Sequence, residues 1–123
     1  MIDFKNGSVL KLSQINTADV DTRIHSLISN SAKILFAAKG VRDSVVFTDR
    51  HIIALNVQGV TGKKADCTFL PYSKIAAFSI ENAGTFDIDT EVELYISGVG
   101  TVSFEFTRGT DTTAIGRILS HYV

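Results

Sequence analysis

Few residues in this chain have the type and spacing to do chemistry, and the most suggestive lie in Gly59-Val60-Thr61-Gly62-Lys63-Lys64. Glycines followed by lysines are the raw material of a phosphate cradle, because glycine lets backbone amides approach an anion that lysine then neutralises. A nucleotide loop needs more than that. Counting back from Gly62 puts Val57 where the first glycine of such a loop should stand, and Lys64 replaces the Ser or Thr that would hold a metal ion. The following Ala65-Asp66-Cys67-Thr68-Phe69-Leu70 reads as a strand, not as the required helix. Phe86-Asp87-Ile88-Asp89-Thr90-Glu91-Val92-Glu93 invites a calcium reading, but counting from Asp87 puts Val92 and Gly98 where an EF-hand needs Gly and Glu. Glu91 and Glu93 are better explained as the wet face of a strand. His25, His51 and His121 do not cluster, Cys67 has no histidine near it in sequence, and no hydrolase, zinc-protease or dinucleotide signature occurs. The expectation is a protein with no catalytic residues, no cofactor and no metal.

Composition narrows the class. At 123 residues, with 45% hydrophobic and 20% charged content, the chain is long enough to bury one proper core and shows no sign of disorder. Twelve basic against thirteen acidic residues disfavour a nucleic-acid binder, which usually carries a basic face. A single cysteine permits no internal disulfide. Met1-Ile2-Asp3-Phe4-Lys5-Asn6 is not a secretory signal, and the longest apolar run, Ile34-Leu35-Phe36-Ala37-Ala38, cannot span a bilayer, so the expected location is cytoplasmic. The charges are unevenly placed. From Lys33 to Lys74 the bases Lys33, Lys39, Arg42, Arg50, Lys63, Lys64 and Lys74 outnumber Asp43, Asp49 and Asp66 by four. From Ile75 to Thr107 there are only acids: Glu81, Asp87, Asp89, Glu91, Glu93 and Glu105.

Periodicity supplies the elements. Val20, Ile24, Leu27 and Ile28 fall on one helical stripe, predicting a helix from about 17 to 29 capped by Asn16 or Thr17. The first fifteen residues have no clear period and read as an extension or a short strand. From Lys33 the period becomes two, and seven strands follow, with a tight Asp49-Arg50 turn and the Gly59–Lys64 loop between the third and fourth of them. The clearest are Val92-Leu94-Ile96 and Val102-Phe104-Phe106, each facing inward opposite polar residues. After Gly109, Ala114, Ile115, Ile118, Leu119 and Tyr122 form an amphipathic C-terminal helix, weakened in its interior by Gly116. Seven short antiparallel strands must curl or split to hide their apolar faces, with the last helix plugging what stays open.

At this point the residues resemble a known family. Val45-Val46-Phe47-Thr48-Asp49-Arg50-His51-Ile52-Ile53, continuing through Val57-Gln58-Gly59-Val60-Thr61-Gly62-Lys63-Lys64, is similar to the strand-turn-strand core of bacterial pleckstrin-homology (PH) domains. The Ala83-Gly84-Thr85-Phe86-Asp87 segment and the Ile96-Ser97-Gly98 strand end resemble its continuation. The resemblance implies a mainly β, PH-like barrel or sandwich of seven antiparallel strands, capped by the C-terminal helix and preceded by an N-terminal helix. The expected division is an N-terminal extension and helix over 1–32 and the PH-like domain over 33–123. It also implies a non-catalytic module that forms a cyclic homo-oligomer, five-fold in size, through side-by-side contact of its sheets, and that binds another protein. Arg50, Lys63, Lys64, Asp87, Asp89, Glu91 and Glu93 are the candidate surface residues, the basic set and the acidic set being able to meet between neighbours. The alternative use of Lys63 and Lys64 is an anionic lipid surface; nucleic acid is not expected as a partner.

Overall fold

The computed structural model describes residues 1–5 and 9–123. In chain order the elements are β1 (Val9–Ile15), a 3-10 turn (Thr17–Asp19), α1 (Thr22–Leu27), β2 (Ile34–Lys39), β3 (Asp43–Thr48), β4 (His51–Gln58) and β5 (Lys64–Pro71). A second 3-10 turn (Tyr72–Lys74) leads to β6 (Ile75–Glu81), β7 (Thr90–Ile96), β8 (Gly100–Phe106) and α2 (Thr112–Tyr122). The strands lie in the order β5-β4-β3-β2-β1-β8-β7-β6. Among the described residues, only β1 and β8 run parallel.

The sheet therefore has eight strands rather than the seven expected, and the extra one is β1. It joins the two halves of the sheet, pairing Gln14 with Ala38 of β2 and Leu12 with Phe106 of β8. Its period was hidden for a physical reason. Between Val9 and Leu12 the register against β8 slips, and Lys11 sits there at a left-handed φ of 54°. Such a bulge moves the next side chain to the other face, so Leu12 is fully buried while Lys11 is exposed and simple alternation fails.

The predicted helix over 17–29 is also corrected. Asn16 caps the short turn by accepting from the Ala18 amide at 2.9 Å, Val20 is extended, and Asp21 starts α1 by accepting from the Arg23 amide at 2.8 Å. Two capping side chains five positions apart cut the segment in two, since Asn and Asp compete with helical hydrogen bonds. Leu27, expected on the buried stripe, is 58% exposed.

The core has two layers. Between the curled halves, Leu12, Phe36, Phe47, Leu94, Phe104 and Phe106 pack with Ile115 and Leu119 of α2. Phe36 meets Phe47 and Phe106 edge-on, at ring distances of 5.7 and 6.0 Å. On the opposite face of β2–β5, Val20 and Ile24 cover Ala37, Val46, Ile53 and Leu55. Burial on both faces explains the unbroken apolar runs of β3 and β4, just as one wet face explains the alternation of β7 and β8. Asp111 caps α2 by accepting from the Ala114 amide at 3.1 Å. Tyr122 stacks on Tyr72 at 5.1 Å, and the Tyr72 hydroxyl donates to the Thr48 carbonyl at 2.7 Å. Burial, with Tyr122 beside it, holds that phenol far above its ordinary range.

Candidate interaction surfaces

The Gly59–Lys63 loop connects β4 to β5, with Gly59 and Gly62 at φ of 76° and 69°, where an L side chain would be strained. Lys64 begins β5 opposite Gln58. The neighbouring β2–β3 turn closes through the Gly40 amide donating to the Asp43 carbonyl at 2.7 Å. Arg42 then ties the two loops together. Its guanidinium donates to the Gly59 carbonyl at 2.9 Å and to Val57 at 3.4 Å, while its own carbonyl accepts from the Val57 amide at 2.8 Å. A guanidinium engaged this way is a brace between loops. Asp43, next to it in the chain, accepts from Asn56 Nδ2 at 2.7 Å.

Arg50 lies elsewhere. His51 pairs with Pro71 at one end of the β4–β5 ladder and Gln58 with Lys64 at the other, so Arg50 and the lysines are separated by the whole strand, roughly 20 Å. Arg50 donates to Ser31 Oγ at 2.8 Å, and Thr48 Oγ1 accepts from its amide at 3.1 Å; it secures the β3–β4 turn. His51 stacks on Phe69 at 4.8 Å, and burial followed by the charge of Arg50 lowers its pKa.

The acidic candidates come closer together. Asp87 and Asp89 lie in the β6–β7 connection, where Asp89 Oδ1 accepts from the Arg108 amide at 2.9 Å and its carbonyl from Asn82 Nδ2 at 3.2 Å. Glu91 and Glu93 are on β7, on the polar side of the strand. Register adds two residues that the sequence did not single out: Glu81 of β6 and Glu105 of β8 stand directly opposite Glu91. Among the described residues no ion pair neutralises this row. Partial burial, the Glu93 carboxyl bonded to it, and the charges of Glu81 and Glu105 together raise the Glu91 pKa above its ordinary 4.5. Like charges directly opposite across strands are destabilising. Alternation could have placed Glu81 and Glu105 on the wet face; only pairing shows that they align.

Other features offer little chemistry. Cys67 is half-buried, and burial with Asp21 and Asp66 nearby raises its pKa, which suppresses the thiolate. Asp66 pairs with the Met1 ammonium at 2.8 Å and accepts from Thr68 Oγ1 at 2.8 Å, and these contacts lower its pKa. A hollow of about 50 Å³ bordered by Asp19, Asp21, Lys39 and Ser44 is well below the ~300 Å³ of a small-molecule site, whereas wider ones of about 430 Å³ along Asp66, Thr68 and Phe69 and about 300 Å³ beside Ile2, Phe4 and Val99 reach that size. Among the described residues no group of His, Cys, Asp or Glu could hold a metal ion, and no helix is long and apolar enough to cross a membrane.

Comparison with known proteins agrees with this geometry. The family model for the bacterial PH domain matches residues 3–123. The uncharacterized protein YjqA of Bacillus subtilis is 36% identical over 119 residues, covering 95% of each chain. YozO of the same organism is 30% identical over 101 residues, covering 82% of this chain and 87% of its own. Among solved structures, a DUF1696 family protein with a pleckstrin-homology domain from Shewanella loihica superimposes with a TM-score of 0.76 at 32% identity, over 94% of this chain and 98% of that one. A pleckstrin-homology domain from Shewanella amazonensis gives 0.64 at 35% identity, over 95% and 91%. The chain belongs to the bacterial PH domain family.

Proposed function

We propose that this PH-like domain is a non-catalytic module that joins copies of itself into a closed ring and presents the composite polar surface to a protein partner. The observation that carries the reading is the pair of strands at the ends of the sheet. Among the described residues each of β5 and β6 has one hydrogen-bonded strand neighbour, which leaves backbone donors and acceptors along its other edge. The edges differ in charge: β5 begins at Lys64, directly after Lys63, and β6 ends at Glu81 beside Glu91 and Glu105. A ring needs this kind of heterologous contact, in which one patch meets a different patch on the next copy. Antiparallel docking of β5 against the neighbour's β6 brings the lysine end to the Glu81 end; parallel docking would bring it to Ile75 instead. The charges thus select one orientation, contributing register more than affinity.

Light scattering across a salt series tests the reading. The expected result at low salt is a single species of about five times the 13.3 kDa chain, loosening as salt rises. Lys64→Glu should shift the population toward monomer, and adding Glu81→Lys should restore the ring by exchanging the charges. A monomer at low salt refutes self-assembly; a ring indifferent to salt and to both variants refutes the charge-guided edge.

A further inference from the structure

We propose that Asp66 and Thr68 of β5 form a cradle for the free amino terminus of a peptide chain, filled here by Met1 and Ile2 and open to a partner protein's terminus in their place. Side chains two positions apart share one face of a strand, so Asp66 and Thr68 project together. Asp66 Oδ2 holds the Met1 ammonium at 2.8 Å. Thr68 Oγ1 donates to Asp66 Oδ1 at 2.8 Å and accepts from the Ile2 amide at 3.0 Å. The donated proton turns the lone pairs of the hydroxyl toward the incoming amide, so the two side chains read consecutive nitrogens of one chain end as a unit. Thr68 is buried, and the ammonium makes the stronger, charge-assisted contact of the pair.

What is enclosed specifies the occupant. The Met1 residue is 81% exposed, so the cradle reads the ammonium at the first position and not the side chain. Ile2 is 8% exposed and Phe4 packs against the inner core, so the second and fourth positions are apolar. The hollows of about 430 Å³ along Asp66, Thr68 and Phe69 and about 300 Å³ beside Ile2, Phe4 and Val99 flank this segment and leave room for other side chains. Residues 1–5 belong to no strand or helix, and Met1 and Ile2 are tied to β5 through its side chains, so they can leave without breaking a strand pair. A blocked terminus or an internal segment offers a neutral amide where Asp66 needs a cation, and so fits poorly. This inference does not rest on ring formation, since the cradle uses side chains of β5 and not the backbone of its free edge.

The probe is the peptide Met-Ile-Asp-Phe-Lys with a dye on its lysine side chain, titrated against the full chain by fluorescence polarisation. The chain's own terminus competes at an effective concentration on the order of millimolar, so the wild type should bind the peptide weakly. Ile2→Ala removes most of the apolar contact that holds this terminus in place and should tighten peptide binding about tenfold. The N-acetylated peptide should bind neither form, and adding Asp66→Asn to Ile2→Ala should abolish the gain. In the wild type, millimolar free-amine peptide should shift the Thr68 amide signal in NMR spectra, which keeps the test decisive if Ile2→Ala fails to fold. The light-scattering mass should not depend on the peptide, so failure of this inference is separable from failure of self-assembly. Equal binding of the acetylated peptide, a gain that survives Asp66→Asn, or an unshifted Thr68 signal in the wild type overturns the proposal.

Discussion

Gly116 sits in the middle of α2, the helix that closes the open side of the inner core, and replacing it by alanine tests how that closure is built. Glycine in a helix interior costs about 1 kcal/mol relative to alanine. The opposing term comes from β6: a Cβ at position 116 would lie 3.3 Å from Ile80 Cδ1, a few tenths of an ångström too close. That methyl is the far end of a half-buried side chain on a strand with one free edge, so it can yield at small cost. The net expectation is stabilisation by about 0.5 kcal/mol. In urea unfolding, at one fixed protein concentration because assembly shifts apparent stability, the midpoint should rise by about 0.2–0.5 M with unchanged slope. Gly116→Leu places a branched side chain against the same isoleucine and should destabilise by about 1–3 kcal/mol. If alanine itself destabilised by more than about 1 kcal/mol, the β6–α2 contact would be rigid, and the reasoning that Ile80 yields would be refuted.

Further predictions concern other parts of the frame. Asp111→Ala removes the α2 cap and should cost about 1 kcal/mol in the same assay. Tyr72→Phe leaves the Thr48 carbonyl without its hydroxyl partner and should cost about 1–3 kcal/mol, with little change in fold by circular dichroism. Acid titration of stability should show two phases of opposite sign. Glu91 has a raised pKa, so its charge penalises the fold at neutral pH, and the penalty is relieved as pH falls through that raised value toward 4.5. Asp66 has a lowered pKa, so its contribution is present above 3.8 and is lost only as pH falls below that value. Stability should rise slightly on the way to mild acid and then fall, and Glu91→Gln should remove the rise. Cys67 should react with a thiol reagent at neutral pH much more slowly than a free cysteine, reaching the free rate only in denaturant.

The strands from Lys33 onward were legible because each has one wet face or a long apolar run with glycine or polar turns between. The Asp49-Arg50 turn was legible too, although what secures it is Thr48, whose hydroxyl oxygen accepts from the amides of Arg50 and His51. β1 was legible only as an extension or a short strand, because the slip at Lys11 destroys the alternation that marks a strand. The single long N-terminal helix does not form because Asn16 and Asp21 cap the backbone within the stretch that hydrophobic spacing alone marks as continuous. At the surface, charge along the chain does not report pairing. Glu81 and Glu105 join Glu91 only through cross-strand register, whereas Arg50 leaves the lysines because β4 lies between them.

Amide hydrogen exchange, followed strand by strand at two protein concentrations, tests the central claim most directly. In a monomer, alternate amides of an edge strand face solvent and exchange quickly. In a ring, β5 and β6 should gain protection together at high concentration and low salt and lose it together on dilution, while β3 and β8 stay protected throughout. Fast exchange at both edges under every condition, or protection of one edge without the other, would contradict it.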